Sequence, residues 1–244
     1  MKKLLLGAAI ALLPLTGFSA TVLGIQAGAG SWKHDPSGYI STDLDGVGVT
    51  AELKDDLQLK EDTEGYAYFA VEHPIPLIPN FKYMNTKLTS AGSGTLTAAF
   101  DFNGITYSTS SAITTKLQLD QTDYILYYEI LDNVVSLDIG LNAKKIEGEA
   151  TVNSDTTAFS GTVPMLYLGA ELMLPAGFAI VGEISTISAG DNEITDTAIK
   201  LTYTSDFNLG LEVGTRSQDY TIDVDTVKAE MKFSGLFAGV FFKF

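Results

Sequence analysis

The side chains that most often do chemistry near neutral pH are rare in this chain, which has two histidines and no cysteine. His34 stands beside Asp35, and a carboxylate can orient an imidazole as a general base. His34 does not form the Asp-x-His pairing of a histidine–carboxylate protease, because position 36 is Pro36 and position 32 is Trp32. His73 opens a proline-rich turn, so we expect it to shape that turn or to hydrogen-bond a backbone group.

Serine chemistry has equally little support in the sequence. A serine hydrolase needs a histidine near its nucleophile and donors that stabilise an oxyanion. Ser185 and Ser188 lie near the outer end of a predicted strand, but no histidine has a reason to approach them. The lack of cysteine excludes a zinc site built from several soft ligands. We therefore predict no catalytic residue, no metal site and no cofactor.

Charged side chains recur on one parity of segments that alternate polar and apolar residues. If these segments are strands of a closed barrel, the charges point into its lumen, where they must be paired or hydrated. The spacing predicts a salt-bridged plug, and a thin cation-preferring conduit is the alternative because acids outnumber bases. Arg216, the only arginine, is expected to form a bidentate pair with Glu212, Glu171 or Glu183 through two of its guanidinium nitrogens. The predicted lumen network is Glu72, Lys82, Glu129, Asp138, Glu171, Glu183, Lys200, Glu212 and Arg216.

The first twenty residues read as a secretory signal peptide. Lys2 and Lys3 form a basic start, an apolar run follows from 4 to 15, and small residues prepare cleavage after Ser19 or Ala20. The apolar run is shorter than the roughly 20 residues that a transmembrane helix needs. We assign residues 1–20 to the signal peptide and 21–244 to one domain.

Most of the remaining chain alternates with a period of two, in stretches near the roughly 9–11 residues that cross a bilayer as tilted strand. The first such strand runs from about Val22 to Trp32, and the last ends on Phe242 and Phe244. We predict an all-β, transmembrane, antiparallel up-and-down β-barrel of about ten strands, with eight or twelve as alternatives. Closure of the last strand on the first would leave no unpaired edge in lipid.

Connections alternate between short and long, as the two ends of such a barrel require. Short turns are expected at 74–79, 132–133, 175–177 and 205–208, and longer acidic loops near 33–65, 89–121, 147–161, 189–195 and 219–226. Asn103-Gly104 is a two-residue hairpin signal. The apolar parity changes between Met231 and Leu236, which predicts a β-bulge near Ser234-Gly235. The rigid periplasmic turn is expected to contain His73, Pro74, Pro76, Pro79 and Asn80.

Charge limits the possible partners. The chain has 15 basic and 30 acidic residues, a net charge of −15, and without Lys2 and Lys3 the balance is 13 against 30, or −17. Nucleic acid is excluded, because its binding depends on neutralising phosphates. Without cysteine there are no disulfides, so the hydrogen-bonded strands must hold the fold.

Four segments resemble a family of small outer-membrane β-barrel proteins of Gram-negative bacteria. They are 72–80 (EHPIPLIPN), 123–129 (DYILYYE), 163–167 (VPMLY) and 235–240 (GLFAGV). The resemblance covers nearly all of the chain after residue 20, and the proline-rich turn is its most specific part. It implies the architecture and an outer-membrane location. It supplies no activity and no catalytic residue. For barrels of this kind it also implies that the last strand, with Phe242 and Phe244, is the signal for the barrel-assembly machinery.

The sequence therefore leads to one functional hypothesis and two alternatives. The first is a non-enzymatic barrel with a structural or surface-interaction role, long acidic extracellular loops and a charged, largely plugged lumen. The alternative is a narrow cation-preferring channel, and an outer-membrane hydrolase is third. Expected partners are outer-membrane lipid, lipopolysaccharide and the barrel-assembly machinery, with no nucleic acid. The oligomeric state is left open.

Overall fold

A computed structural model describes residues 23–44, 47–97, 99–224 and 227–244, so the predicted signal peptide lies outside the described residues. Over this part of the chain, the strands are β1 (Gly24–Leu44), β2 (Val47–Glu52), β3 (Asp62–Glu72), β4 (Asn80–Thr86), β5 (Thr89–Thr95), β6 (Phe100–Phe102), β7 (Ile105–Tyr107), β8 (Ala112–Leu131), β9 (Val135–Val152), β10 (Asp155–Met173), β11 (Phe178–Ala189), β12 (Asn192–Thr204), β13 (Leu209–Val224) and β14 (Val227–Lys243). A single 3-10 turn, Pro175–Gly177, joins β10 to β11. Within the described ranges, no helix has the length and apolar character needed to cross a membrane.

Ten strands close into an antiparallel barrel in the order β1, β3, β4 and then β8 to β14, with β14 paired back to β1. The last residue completes the closure, because Phe244 and Ile25 exchange two backbone hydrogen bonds of 2.7 and 2.8 Å. β2 pairs with the far end of β1, and β5 pairs with β8 beyond the end of β4. The predicted ten-strand up-and-down barrel is confirmed.

An apolar belt surrounds the half of the barrel that contains the short turns. Its exposed side chains include Phe69, Leu126, Ile139, Leu141, Leu166, Leu168, Ile180, Ile199, Leu201, Leu211, Val213, Leu236, Val240 and Phe242. The belt ends where outward-facing positions become charged, at Lys33 on β1 and Lys145 on β9, both of which form exposed ion pairs. Such a belt is the lipid-facing surface of an outer-membrane barrel.

Beyond the belt the polarity of the two faces of the barrel wall is reversed. The strands continue outward, but here their inner face is apolar and their outer face is polar. A segment after β2 folds into the mouth of the barrel, where Leu53, Leu57 and Leu59 are buried. We call the apolar cluster that fills this region the outer core: Leu53, Leu57, Leu59, Leu88, Leu96, Ile113, Leu117, Leu119, Ile146, Val152, Met231 and Phe233.

The four predicted short turns are confirmed at the positions between β3 and β4, β8 and β9, β10 and β11, and β12 and β13. Asn103 and Gly104 also form the expected hairpin turn between β6 and β7, with φ of 53° and 79°. Both residues lie in the left-handed region that this turn requires.

Several of the predicted long loops are wrong. Residues 147–161 belong to β9 and β10, which meet at Asn153 and Ser154, and β1 continues to Leu44 instead of ending at Trp32. His34, expected in a loop, is a fully buried strand residue. Charged residues suggested loops because they occupy the solvent-facing positions of strands that extend beyond the membrane.

The predicted bulge near Ser234-Gly235 is also wrong. β13 and β14 keep one register from Leu209–Phe242 to Val224–Val227. Met231 and Phe233 face the outer core, whereas Leu236 and Val240 face lipid. The apolar parity changes because the surroundings of the strand change, and not because an extra residue is inserted.

Candidate functional site

The lumen is the candidate site, because the charged and polar side chains on the inner face of the strands lie together there. From the short-turn end it contains an open cavity that we call the vestibule, then two layers of ion pairs, and then the outer core. Tyrosines from β3 reach across it over glycines on β1. Tyr68 lies over Gly28 and Tyr66 over Gly30, where any β-carbon would overlap the ring.

The vestibule is a cavity of about 450 Å³ at the end of the barrel that carries the short turns. Its walls are acidic, and Lys243 stands among the lining residues. The Tyr127 hydroxyl donates to Glu72 Oε1 at 2.9 Å. Six carboxylates line the cavity, and three lysines, Lys82, Lys200 and Lys243, line it with them. The acids are Glu72, Glu129, Asp132, Asp138, Glu171 and, at the inner end, Glu183. The field of these groups favours cations at this end of the barrel.

The lower layer closes the inner end of the vestibule. Lys82 pairs with Glu183, which also accepts a hydrogen bond from the Tyr167 hydroxyl at 2.8 Å. Lys200 Nζ lies 2.8 Å from Glu212 Oε2, and the Tyr66 hydroxyl donates to Glu212 Oε1 at 2.6 Å. Two cations face two carboxylates, so the layer has no net charge. Every carboxylate in it has more than one donor, as buried charges require.

The upper layer is more deeply buried. Arg216 binds Asp196 through both Nε (2.9 Å) and Nη2 (2.7 Å). Lys144 Nζ lies 2.9 Å from both Asp196 Oδ2 and Asp123 Oδ1. Gln121 and Gln218 exchange two hydrogen bonds of 2.7 Å. This layer too has two cations and two carboxylates, and Lys144, Gln121 and Gln218 within it are almost completely buried.

A small cavity of about 60 Å³ lies between the two layers. Among the described residues, three buried polar atoms that border it have no hydrogen-bond partner: Trp32 Nε1, Asp123 Oδ2 and Asn142 Oδ1. The volume suits about four water molecules. Since both layers are neutral, we expect water, rather than an ion, to satisfy these atoms.

Every residue of the predicted network lies inside the barrel, but its members are divided. Lys82, Glu183, Lys200 and Glu212 form the lower layer, whereas Glu72, Glu129, Asp138 and Glu171 line the vestibule. Arg216 is the one member that reaches the upper layer.

The predicted partners of Arg216 are wrong. Arg216 is directly opposite Ala198, so Asp196, two residues along the same face of β12, is the carboxylate within reach. Glu212 is already bound by Lys200 and Tyr66, and Glu183 by Lys82 and Tyr167. Glu212 and Glu183 each have their own cation, and Glu171 lies in the vestibule, so the arginine binds Asp196, a residue outside the predicted network.

Five residues of the upper layer are not part of the predicted network: Gln121, Asp123, Lys144, Asp196 and Gln218. A signal for them existed. Lys144 follows the inward Asn142 by two, and Asp196 precedes the inward Lys200 by four. Gln121, Lys144 and Asp196 lie just outside the predicted strands, whereas Asp123 and Gln218 lie inside predicted strands and are not part of the predicted network.

The histidines do not form a catalytic pair. His34 points inward and packs on Trp32 and Phe233, with ring centroids 5.1 and 6.1 Å away. Asp35 points outward to Lys54, at 2.6 Å. Neither nitrogen of His34 has a hydrogen-bond partner in the described part of the chain. Burial lowers the pKa of His34 from its ordinary 6.5, against the opposing effect of Asp62 and Asp35.

His73 holds the proline-rich turn together. Its Nδ1 accepts from the Ile75 N–H at 3.3 Å, so Nε2 carries the proton and donates to the Pro79 carbonyl at 3.2 Å. The His73 N–H donates to Asn80 Oδ1 at 3.0 Å. Pro74 and Pro76 lie between these contacts, and the φ of Leu77 is 72°. The turn is therefore a compact structural unit.

The other candidate catalytic and metal-binding side chains do not lie together. Ser185 is buried in the lumen and accepts from Asn142 Nδ2 at 3.1 Å, while Ser188 lies on the opposite face of β11. No cluster of three or more metal-ligating side chains occurs among the described residues. Outside the belt, burial and a hydrogen bond to Asp155 raise the pKa of Tyr107 to about 12.

Comparison with known proteins gives a fold and no family. No protein-family model matches the chain, and no curated protein matches it. The solved structure of the outer membrane protease OmpT from Escherichia coli aligns with a TM-score of 0.59 at 11% identity, over 94% of this chain and 99% of that chain. This alignment supports the barrel architecture over nearly its full length.

Two other solved structures also align, with lower scores. Ail, the attachment invasion locus protein of Yersinia pestis, gives a TM-score of 0.37 at 11% identity, over 91% of this chain and 99% of that chain. Neisserial surface protein A gives 0.33 at 14% identity, over 91% and 97%. The closed barrel and its apolar belt, together with the OmpT alignment, confirm the predicted outer-membrane location.

Proposed function

We propose that this protein is a sealed, non-enzymatic barrel of the outer membrane with a structural or surface-interaction role. The observation that carries the proposal is the closure of the lumen by the two neutral ion-pair layers. Side chains of the upper layer, such as Lys144 and Gln218, are almost fully buried. The outer core adds a second, apolar closure above them.

The alternative, a narrow cation channel, finds support in the acidic vestibule and opposition in the lower layer. An ion leaving the vestibule would have to separate Lys82 from Glu183 and Lys200 from Glu212. Breaking a buried pair costs about 3–5 kcal/mol, so two would cost about 6–10 kcal/mol. The open fraction would then be below about one in ten thousand. The vestibule is better described as a blind cavity.

The non-enzymatic part of the proposal rests on the histidines. His34 is enclosed by aromatic rings, and His73 is bound to its own turn. With only two histidines in the chain, an outer-surface site of the His–carboxylate kind has no base available. The protease activity in the name of OmpT belongs to that protein, and at 11% identity it does not extend to this one.

We propose three partners for this barrel. Lipid chains would cover the apolar belt. Phosphates of lipopolysaccharide would meet Lys33 and Lys145, which face outward where the belt ends. The assembly machinery would recognise the last strand, whose Phe242 and Phe244 are exposed on the lipid side.

Conductance in a planar bilayer tests the proposal. We expect the refolded protein to insert without steady current steps. A channel would instead give cation-selective steps that fall when Glu183→Gln removes a lumen charge. Glu61→Gln is the matched control, because Glu61 is an exposed acid paired with Lys33 on the outer surface. Steps that respond to Glu183→Gln and not to Glu61→Gln would replace the sealed barrel with the channel.

A further inference from the structure

The wall of the barrel is uneven at its outer rim, where β10 rises above its neighbour. β10 pairs with β9 from Asp155 to Leu172, but with β11 only from Leu166 to Met173. Pro164 has no N–H to continue the second ladder. The β11–β12 hairpin turns just beyond, at Gly190 and Asp191. Residues 155–165 of β10 therefore have one paired edge and one free edge.

The backbone groups on the free edge can be assigned from the alternation. The Met173 N–H bonds toward β9, to Val134, and the Leu174 N–H bonds toward β11, to Phe178. The register of β10 shows no shift along its length. Main-chain groups of the even-numbered residues therefore face the free edge, and they are Thr156, Ala158, Ser160 and Thr162.

The side chains leave this edge open. Residues 156–162 are all exposed, and none of them is charged or proline, so this stretch lacks the residues that usually protect an edge strand. Asp155 and Pro164 flank it at the two ends. Phe159 lies on the inner face, over Gly148 of β9, and its ring is 49% exposed. A strand added at this edge would find backbone partners beside it and an aromatic surface on one face.

The surroundings of the edge are acidic. Glu147 and Glu149 lie on the neighbouring β9, each with an exposed lysine partner. Asp191 and Glu193 lie on the lower hairpin beside the edge and are exposed. Neither of these two forms an ion pair with a basic side chain in the described ranges. The chain as a whole has a net charge of −15.

From these observations we propose that the free edge of β10, residues 155–165, binds an extended basic peptide segment by strand addition. Backbone hydrogen bonds supply the attachment, Phe159 receives one side chain, and the acidic surroundings select positive charge. The inference rests on the proposed surface-interaction role and names a partner class for it.

A synthetic eight-residue peptide that alternates valine and lysine is a suitable probe. It is added to the full-length folded protein in detergent micelles, and amide hydrogen exchange is followed by NMR. Binding by strand addition slows exchange at Thr156, Ala158, Ser160 and Thr162 by tenfold or more. It leaves the amides of Thr157, Phe159 and Gly161, already bonded to β9, unchanged. Absence of binding, or protection without this alternation, overturns the proposal.

Two variants and a second peptide sharpen the test. Ser160→Pro removes one N–H from the free edge without touching the bonds to β9, and we expect it to weaken the peptide dissociation constant at least tenfold. Ser160→Ala keeps the N–H and should stay within twofold of the wild type. Equal weakening by both, or equal binding of a peptide that alternates valine and glutamate, contradicts the proposal. If the protein gives no current steps in the bilayer and also binds no peptide, the strand-addition inference is rejected and the sealed barrel remains. If it gives current steps, the sealed barrel is rejected, and the peptide result is judged separately.

Discussion

Asp196 shows how individual side chains close this lumen. It receives Arg216 through two nitrogens, and Lys144 and Gln218 share its second oxygen at 2.9 and 3.0 Å. Arg216 also donates to Thr86 and stacks 5.2 Å from the Trp32 ring. A carboxylate with this many donors is stable in a buried site only while all of them remain.

Arg216→Met tests that dependence. It keeps most of the side-chain volume but leaves Lys144 as the only cation bound to Asp196 and Asp123. We expect the free energy of unfolding, measured by urea denaturation in lipid vesicles, to fall by about 3–5 kcal/mol. Lys228→Met is the control, because it removes an exposed ion pair with Asp223 and should cost at most about 1 kcal/mol. Similar losses for both variants would contradict the account.

His34 predicts a pH dependence. Its pKa is lowered by burial in the folded protein, while the unfolded chain takes up a proton near 6.5. As the pH falls below about 6.5, the unfolded state binds more protons than the folded state, so the free energy of unfolding decreases. Above that pH, His34 is neutral in both states and contributes no slope.

His34→Leu should remove this contribution. Urea denaturation at pH 7.5 and at pH 5.0 gives the change for each protein, and the carboxylates titrate in both. We expect the wild type to lose more stability than the variant on acidification. Equal losses would mean that His34 is not held neutral by the outer core.

At the scale of elements, close approach between strands places the lumen side chains. Tyr66 of β3 reaches Glu212 of β13 because glycines of β1 and β14 lie under its ring. A β-carbon at Gly30 would come within 2.5 Å of Tyr66 Oη, and closer still to the carbonyl oxygen of Ala238. The backbone carbonyl cannot move aside without breaking the β1–β14 ladder.

Gly30→Ala is therefore expected to destabilise the barrel by about 1–3 kcal/mol, as overpacking does. Gly182→Ala is the matched control, because no heavy atom lies within 4 Å of the added carbon and the effect should stay within about 0.5 kcal/mol. Unfolding by urea in vesicles measures both. A Gly30→Ala variant as stable as Gly182→Ala would show that Tyr66 is not confined by these strands.

Strand boundaries limited what the sequence could predict at this scale. Alternation identified the membrane-facing residues and the short turns, because lipid imposes one polarity pattern on every strand there. It failed at 147–161, where solvent replaces lipid outside and the outer core replaces charge inside. The choice of Asp196 for Arg216 depends on the register between β12 and β13, which residue types do not specify.

At the scale of the whole molecule, the described part of the chain forms one barrel whose two halves have opposite polarity patterns. The membrane half has lipid outside and ion pairs inside, and the outer half has water outside and an apolar core inside. Alternation along the sequence predicts the lumen charges but not the outer core, because the leucines of the outer core lie in segments that resemble polar loops. In the sealed barrel that we propose, the vestibule is open at one end only.

Sided thiol labelling tests this closed arrangement most directly, because the chain has no cysteine of its own. Ser136→Cys lies in the vestibule, and Thr114→Cys is exposed at the opposite end. In vesicles with one orientation, a membrane-impermeant maleimide should label Ser136→Cys only from the short-turn side and Thr114→Cys only from the other. Labelling of Ser136→Cys from the outer side, at a rate like that of Thr114→Cys, would contradict the sealed lumen.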